Sequence, residues 1–219
     1  MVAGAREGSG RVSRELILGR IRAANAGARA AGPVRRDYLR AHADRTPDES
    51  VGLLAENLAD YRALVHRTDA AGVAGVVARL LAERGSRTVL VPDGLPAEWL
   101  AATGVQQLED RAESTARELD AVGSVVTGCA LAIAETGTIV LDGGTAQGRR
   151  RITLIPDHHI CVIRVPEQVV SSVPEALERL DAARPLTWIS GPSATSDIEL
   201  DRVEGVHGPR TLDVVLVGE

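Results

Sequence analysis

The sequence contains no phenylalanine and no lysine, and it has only two tryptophans and two tyrosines among its 219 residues. Its core must therefore be packed with valine, leucine, isoleucine and alanine. All 25 basic residues are arginine. Apolar residues make up 44% of the chain and charged residues 25%, which is typical of a globular domain and excludes a disordered or fibrous chain.

Cysteine is also scarce, since Cys129 and Cys161 are the only two and no CxxC pair occurs. This excludes an iron–sulfur or zinc site built from the thiols of this chain alone. Both cysteines lie in apolar runs, which predicts buried free thiols in a reducing compartment. The sequence also lacks GxGxxG and Walker motifs, which argues against a nicotinamide dehydrogenase acting alone, and we expect no cofactor.

No apolar run reaches the length of a membrane span, and the first residues lack the apolar stretch of a secretory signal. We therefore expect a cytoplasmic protein with no membrane span. Residues 1–40 carry nine arginines and three acids, a net charge of +6, whereas residues 41–219 have a net charge of −11. Such a basic head is typical of a solvated terminus, and docking to an acidic partner is the alternative. We expect no nucleic-acid binding.

Local patterns predict helices first and then alternating helices and strands. Ser13 is predicted to cap a first helix, and Thr46 opens a capping box for a second helix whose apolar spacing runs to Leu64 and Val65. Further helices are predicted at 70–84, 96–103, 110–120 and from 173 to about 183. Strands are predicted at 87–92, near 105, and at 124–128, 137–141, 159–165, 187–190 and 212–217.

Continuous apolar strands separated by helices predict an α/β fold with a mainly parallel central sheet covered on both faces. We expect residues 1–68 to form an N-terminal helical segment packed on an α/β domain of residues 69–219, giving one structural domain. The length of the chain agrees with one domain.

Polar residues that could carry chemistry cluster beside predicted strands. The segment 191–199 follows a strand, as ligand-binding turns do at the carboxyl ends of strands in open α/β sheets. Gly191 permits a tight turn, Ser193 and Thr195 supply hydroxyls, and a helix start there could hold a carboxylate or phosphate. Asp197 has an alternative role in helix capping.

Glu135 precedes a glycine turn and is the candidate catalytic base or nucleophile, although it could equally pair with one of the three arginines at 149–151. His158 and His159 are adjacent on a strand, so at most one of them points into a given pocket. No HxH or HxxxH spacing supports a metal site, and we expect none. We expect Glu135, one of these histidines, Ser193, Thr195 and His207 to share one cleft. The predicted ligand-binding residues are Thr136, Gly137, Thr138, His158, His159, Gly191, Ser193, Thr195, Asp197 and His207.

Four segments in order, TGCALAIAETGTIVLDGG, RRITLIPDHHICV, GPSATSDIE and GVHGP, resemble the LUD-domain family. The resemblance is close from about residue 120 to the end and looser before it. It implies a fold similar to the sugar-phosphate isomerase and CoA-transferase group. It also implies a role in oxidising L-lactate to pyruvate beside two partner proteins that carry iron–sulfur clusters.

Three functions remain open at this point. The chain could be a non-redox component of a lactate-oxidising system that binds a small carboxylate or phosphate. It could be a free-standing isomerase-like or CoA-transferase-like enzyme that uses Glu135. It could also be a structural adaptor whose arginine-rich head docks the iron–sulfur partners.

Overall fold

A computed structural model describes residues 8–27, 32–35, 37–193 and 207–218, and the chain forms two compact units, Met1–Tyr38 and Leu39–Glu219. The first unit holds helix α1 (Gly8–Asn25). Ser13 lies inside this helix, so the prediction that it caps the helix start is wrong, because helical backbone already precedes it. The boundary that the sequence predicts at residues 68 and 69 stays a prediction.

The second unit alternates helices with strands. Its α-helices are α2 (Pro47–Asp60), α3 (Val73–Glu83), α4 (Ala116–Asp120) and α5 (Val173–Arg179). Its strands are β1 (Leu64–Asp69), β2 (Thr88–Val91), β3 (Gln106–Glu109), β4 (Ser124–Thr127), β5 (Leu131–Ile133), β6 (Thr138–Leu141), β7 (His158–Arg164), β8 (Val169–Val170), β9 (Thr187–Ile189) and β10 (Thr211–Gly218). Short 3-10 helices lie at Ala97–Leu100, Ala134–Thr136 and Arg150–Thr153. Within the described ranges, no helix combines the length and apolarity that crossing a membrane requires.

Six strands form a wholly parallel central sheet in the order β1-β10-β7-β4-β2-β3. This confirms the predicted α/β fold. A second sheet has the order β8-β5-β6-β9, in which β6 runs antiparallel to both of its neighbours. The sequence did not separate this small sheet from the large one, because a short apolar run looks the same in either.

Alternation along the strands decides which layer each side chain packs against. Ile160 and Val162 of β7 join the apolar cluster formed with α3. Cys161 and Ile163 join the opposite cluster, which contains α2 and residues of the small sheet. The central sheet is therefore covered on both faces, and both cysteines are buried free thiols, as the sequence predicted.

Helix α2 begins as predicted and ends sooner. The Thr46 side chain accepts the backbone N–H of Glu49, and the Glu49 carboxylate accepts the backbone N–H of Thr46, which completes the capping box. The helix stops at Asp60, Arg62 adopts a positive φ of 68°, and β1 starts at Leu64. The predicted helical continuation to Val65 is wrong, because pairing with β10 overrides the local apolar spacing.

Two other helices are shorter than their patterns predict. The helix expected over 110–120 occupies only Ala116–Asp120, where Thr115 and Glu118 form a second capping box. The helix expected to reach about residue 183 ends at Arg179, and Leu180 has extended backbone.

Candidate functional site

A cavity of about 380 Å³ lies between the amino ends of β7 and β10 and the strand β9 of the small sheet. Four of the predicted ligand-binding residues line it, namely His159, Gly191, Ser193 and His207. The other residues of its wall that matter for the argument are Arg150, Thr153, Thr187, Trp188 and Ser190.

This position corrects the expectation from parallel sheets. Gly191 and Ser193 do follow the carboxyl end of a strand, but that strand is β9 of the small sheet. Along the central sheet the cavity lies at the opposite, amino edge, beside His159 and Leu212. The carboxyl-end rule applies to strands of one open sheet, and it does not anticipate a second sheet packed against the first.

His159 is the most deeply buried polar group of the cavity wall, with 1% of its surface exposed. Its Nε2 forms a hydrogen bond of 2.7 Å with Oγ1 of Thr127. Burial, and then the charge of the neighbouring His158, lowers the pKa of His159 to about 3. The cavity therefore presents a neutral imidazole, whose Nδ1 has no hydrogen-bond partner among the residues that the structure describes.

Arg150 supplies a positive charge to the same cavity, and its guanidinium forms no ion pair with a residue in the described part of the chain. The neighbouring arginines behave differently. Arg149 donates through Nε to the carboxylate of Asp110 at 2.9 Å, and Arg151, which is exposed like Arg150, does not line the cavity. The arginine run is therefore not a three-residue clamp, because only Arg150 faces this site.

The turn after β9 is held in place by backbone contacts. Ser193 donates its N–H to the carbonyl of Pro209 at 2.8 Å, and its Oγ accepts the N–H of His207 at 3.0 Å. Gly191 has a φ of 79°, and a Cβ there would lie 2.3 Å from the carbonyl oxygen of Tyr61. Only glycine fits that approach. The predicted residues Thr195 and Asp197 lie outside the described residues.

The turn at 136–138 contacts the cavity through hydroxyls. Thr138 Oγ1 forms hydrogen bonds of 2.8 Å with Oγ of Ser190, which lines the cavity, and with Oγ1 of Thr136. Gly137 has a φ of 56° and packs against the backbone of Asn57. Thr138, and Thr136 through it, therefore support the cavity wall, and none of these three predicted residues lines the cavity.

Glu135 does not line the cavity. Its carboxylate accepts hydrogen bonds from the backbone N–H of His42 at 2.9 Å and from Arg45 at 2.9 Å, and it also contacts the His42 ring at 2.8 Å. Partial burial raises its pKa, but these hydrogen bonds outweigh burial and hold the pKa below its usual value. Contrary to the prediction from the sequence, Glu135 therefore does not share a cleft with His159, Ser193 and His207. Its partners are His42 and Arg45 and not the arginines at 149–151.

His158 points to the other face of the sheet, into a buried hydrogen-bonded chain. Its Nδ1 lies 2.7 Å from Oγ of Ser124, and its Nε2 donates to Asp213 at 2.9 Å. Asp213 also accepts from Nε2 of His66 at 2.6 Å. Burial raises the pKa of Asp213, but the two imidazoles outweigh it and hold that pKa below its usual value.

Sequence reasoning missed Ser124, Asp213 and His66. The available signal was a polar residue inside an apolar strand, such as the aspartate in LDVVLV, because an acid is rarely buried without a partner. That signal identifies Asp213, but it does not identify Ser124 or His66.

A six-stranded parallel sheet covered on both faces, with a small second sheet beside it, defines an α/β protein. Residues 51–217 match the LUD domain, so the chain belongs to the LUD-domain family.

Relatives of known name agree with this family. The chain is 50% identical over 167 residues to lactate utilization protein C of Deinococcus radiodurans, covering 74% of this chain and 77% of that protein. It is 28% identical over 204 residues to lactate utilization protein C of Halalkalibacterium halodurans, covering 84% and 87%. The crystal structure of a DUF162 family protein from Deinococcus radiodurans is similar with a TM-score of 0.69 and 42% identity, covering 80% of this chain and 100% of that one.

Proposed function

We propose that this chain is a non-redox component of a system that oxidises L-lactate to pyruvate, and that it binds a small carboxylate in the cavity beside β9. The observation that carries the proposal is that Arg150 and the neutral imidazole of His159 both line this cavity. A guanidinium binds a carboxylate, and a neutral imidazole binds a hydroxyl or carbonyl oxygen. Lactate and pyruvate carry these two groups on adjacent carbons.

The names of the relatives support the lactate part of the proposal, since both of those described above are lactate utilization proteins. The cysteine content supports the non-redox part. A hydrogen bond with Cys161, and then burial, raises the pKa of the Cys129 thiol well above its usual value, which leaves it unsuited to hold iron. The resemblance to the LUD-domain family implies that electron transfer falls to partner proteins that carry iron–sulfur clusters. The cytoplasmic location stays a prediction.

Replacing Arg150 with glutamine is expected to weaken L-lactate and pyruvate binding by about 10- to 100-fold, because a charge-assisted hydrogen bond contributes about 1.5–3 kcal/mol. Binding can be followed by tryptophan fluorescence. Trp188 lines the cavity, so a Trp99→Phe background leaves it as the one fluorophore of that kind.

The matched control is Arg151→Gln, which removes the same charge from the neighbouring position outside the cavity. Both arginines are exposed, but Arg151 does not line the cavity, so this variant should leave binding unchanged within about twofold at moderate ionic strength. Equal weakening by the two variants would show a diffuse charge effect and would refute the site. Titration with inorganic phosphate tests whether the cavity takes any small anion.

The isolated chain is expected to show no lactate oxidation with common electron acceptors. Two buried thiols and the absence of a nucleotide fingerprint give it no redox centre of its own. The measurement is lactate-dependent reduction of a dye acceptor by the purified protein. Turnover without an added partner would overturn the non-redox assignment.

The contacts of Glu135 argue against the alternative of a free-standing isomerase-like or CoA-transferase-like enzyme. Both of its carboxylate oxygens are engaged by His42 and Arg45, and it lies outside the cavity wall. A nucleophile or base needs an oxygen free to reach the substrate. The adaptor alternative predicts no saturable ligand binding in the same fluorescence titration.

A further inference from the structure

A second cavity of about 220 Å³ adjoins the first. Arg150, Thr153 and Thr187 line both of them. The rest of the second cavity is lined by Leu141, Gly143, Gly148, Arg149 and Pro185. Arg150 therefore lies where the two cavities meet.

The second cavity offers little to a polar ligand. Its other charged residue, Arg149, is occupied by Asp110, and that contact raises the pKa of Arg149 above its usual value. Apart from the residues that line both cavities, the rest of its lining consists of the Leu141 and Pro185 side chains and glycine backbone. Such a surface favours an apolar group.

The turn of residues 142–148, which supplies Gly143 and Gly148 to the second cavity, is held by its own contacts. The Asp142 backbone N–H donates to the Gln147 side chain at 2.7 Å, and Asp142 pairs with Arg184 at 2.7 Å. Gly148 has a φ of 69°, and a Cβ there would lie 2.4 Å from Ile152. The second cavity is therefore a built feature of the fold, held by several independent contacts.

Lactate is too small to use this space. A water molecule takes about 30 Å³ of liquid volume, and a three-carbon acid is only a few times larger. It would fill part of the first cavity, of about 380 Å³, and none of the second. The carboxylate of a longer acid could stay on Arg150 while its chain enters the second cavity.

We infer that the site accepts 2-hydroxy acids with a linear apolar chain longer than the methyl group of lactate, with that chain lying between Leu141 and Pro185. This inference rests on the proposed function for the position of the carboxylate. It extends the expected ligands from lactate to a series of longer 2-hydroxy acids.

The first test is a titration of the Trp99→Phe protein with lactate, 2-hydroxybutyrate, 2-hydroxyhexanoate and 2-hydroxyoctanoate. Each methylene group that enters the second cavity is expected to tighten binding by about fourfold. Affinity that is flat or falls along the series would overturn the inference. If lactate fails to bind while the longer acids bind tightly, the lactate assignment fails and the longer ligand class stands.

The second test separates the cavity from nonspecific apolar binding. Gly143 lines the second cavity with a φ of 66°, and a Cβ there would meet only the carbonyl oxygen of Gly148 at 3.8 Å, so we choose Gly143→Asn to narrow the cavity. Asparagine also tolerates the left-handed conformation. The matched control is Gly85→Asn, where φ is 61° and nothing lies within 4 Å.

Gly143→Asn is expected to remove most of the affinity gained by 2-hydroxyoctanoate over lactate and to leave lactate binding unchanged. Gly85→Asn should leave the whole series unchanged, with a melting temperature that reports the cost of asparagine at a positive φ. If the long acids lose equal affinity in both variants, or in neither, the chain does not lie in the second cavity and the inference fails.

Discussion

Replacing Asp213 with asparagine is expected to lower the free energy of unfolding by about 3–5 kcal/mol, the usual result of breaking a buried ionic contact. Asp213 is 1% exposed and accepts hydrogen bonds from His158 and His66 at once. An asparagine amide has one acceptor oxygen, which can bond only one of the two imidazoles. Its NH₂ group would lie against the N–H of the other imidazole, and two donors cannot form a hydrogen bond. One buried polar group is then left without its partner.

The measurement is urea unfolding at pH 7 by far-UV circular dichroism. The control is Asp157→Asn, where an aspartate of the same kind pairs with Arg210 at the surface, with 57% of its side chain exposed. That contact should contribute less than about 1 kcal/mol, because exposed ion pairs are solvated and screened. Equal losses in the two variants would show that the buried chain has no special role in stability.

The sequence could predict this network only in part, because its members come from distant strands. His66 and Asp213 meet because β1 and β10 are neighbours in the central sheet, although they lie near opposite ends of the α/β unit in sequence. Apolar periodicity predicts that a strand is buried, but it does not identify the neighbouring strand. The order of the strands is a tertiary property, and the misassigned segment at Leu64 and Val65 has the same cause.

The fold class was predictable because it depends on local signals. Residues that are close together in sequence determine both the alternation of apolar strands with helices and the capping box at Thr46. The small sheet was not predictable in this way. Its strands β5 and β8 are two or three residues long, shorter than the window in which a period can be recognised.

The candidate site shows the same division. Gly191, Ser193 and His159 line the cavity, and they could be proposed from sequence because glycine, hydroxyl and imidazole groups next to strands are local features. Glu135 was placed in that pocket from its turn alone. Its actual partners, His42 and Arg45, precede it by about ninety residues, and only the folded chain brings them together.

Acid is expected to destabilise the protein well above the pH at which carboxylates titrate, and His159 is the reason. The pKa of this histidine is about 3 in the folded chain, whereas an unfolded histidine titrates near pH 6.5. Between these pH values the imidazole is protonated in the unfolded chain and neutral in the folded chain. Stability from this group is therefore complete above about pH 6.5 and falls as the pH decreases toward 3.

Once the unfolded histidine is fully protonated, this contribution amounts to about 1.4 kcal/mol for each pH unit. His159→Gln is expected to flatten the dependence of the unfolding free energy on pH by about that amount between pH 5.5 and 3.5, because glutamine does not titrate and can still bond Thr127. Asp213 has a lowered pKa, so its contribution to the unfolding free energy is lost only at lower pH. That contribution is the same in the wild type and in His159→Gln, so it cancels when the two are compared.

The measurement is urea unfolding of the wild type and His159→Gln at half-unit steps from pH 7 to 3.5. The control is His207→Gln, which removes an imidazole from the same cavity at an exposed position and so shows whether losing any histidine there alters the slope. Parallel curves for the wild type and His159→Gln would mean that His159 is protonated in the folded chain at mildly acidic pH. The cavity would then present a cation in place of a neutral imidazole, and its preference for a hydroxyl or carbonyl oxygen beside the carboxylate would no longer follow.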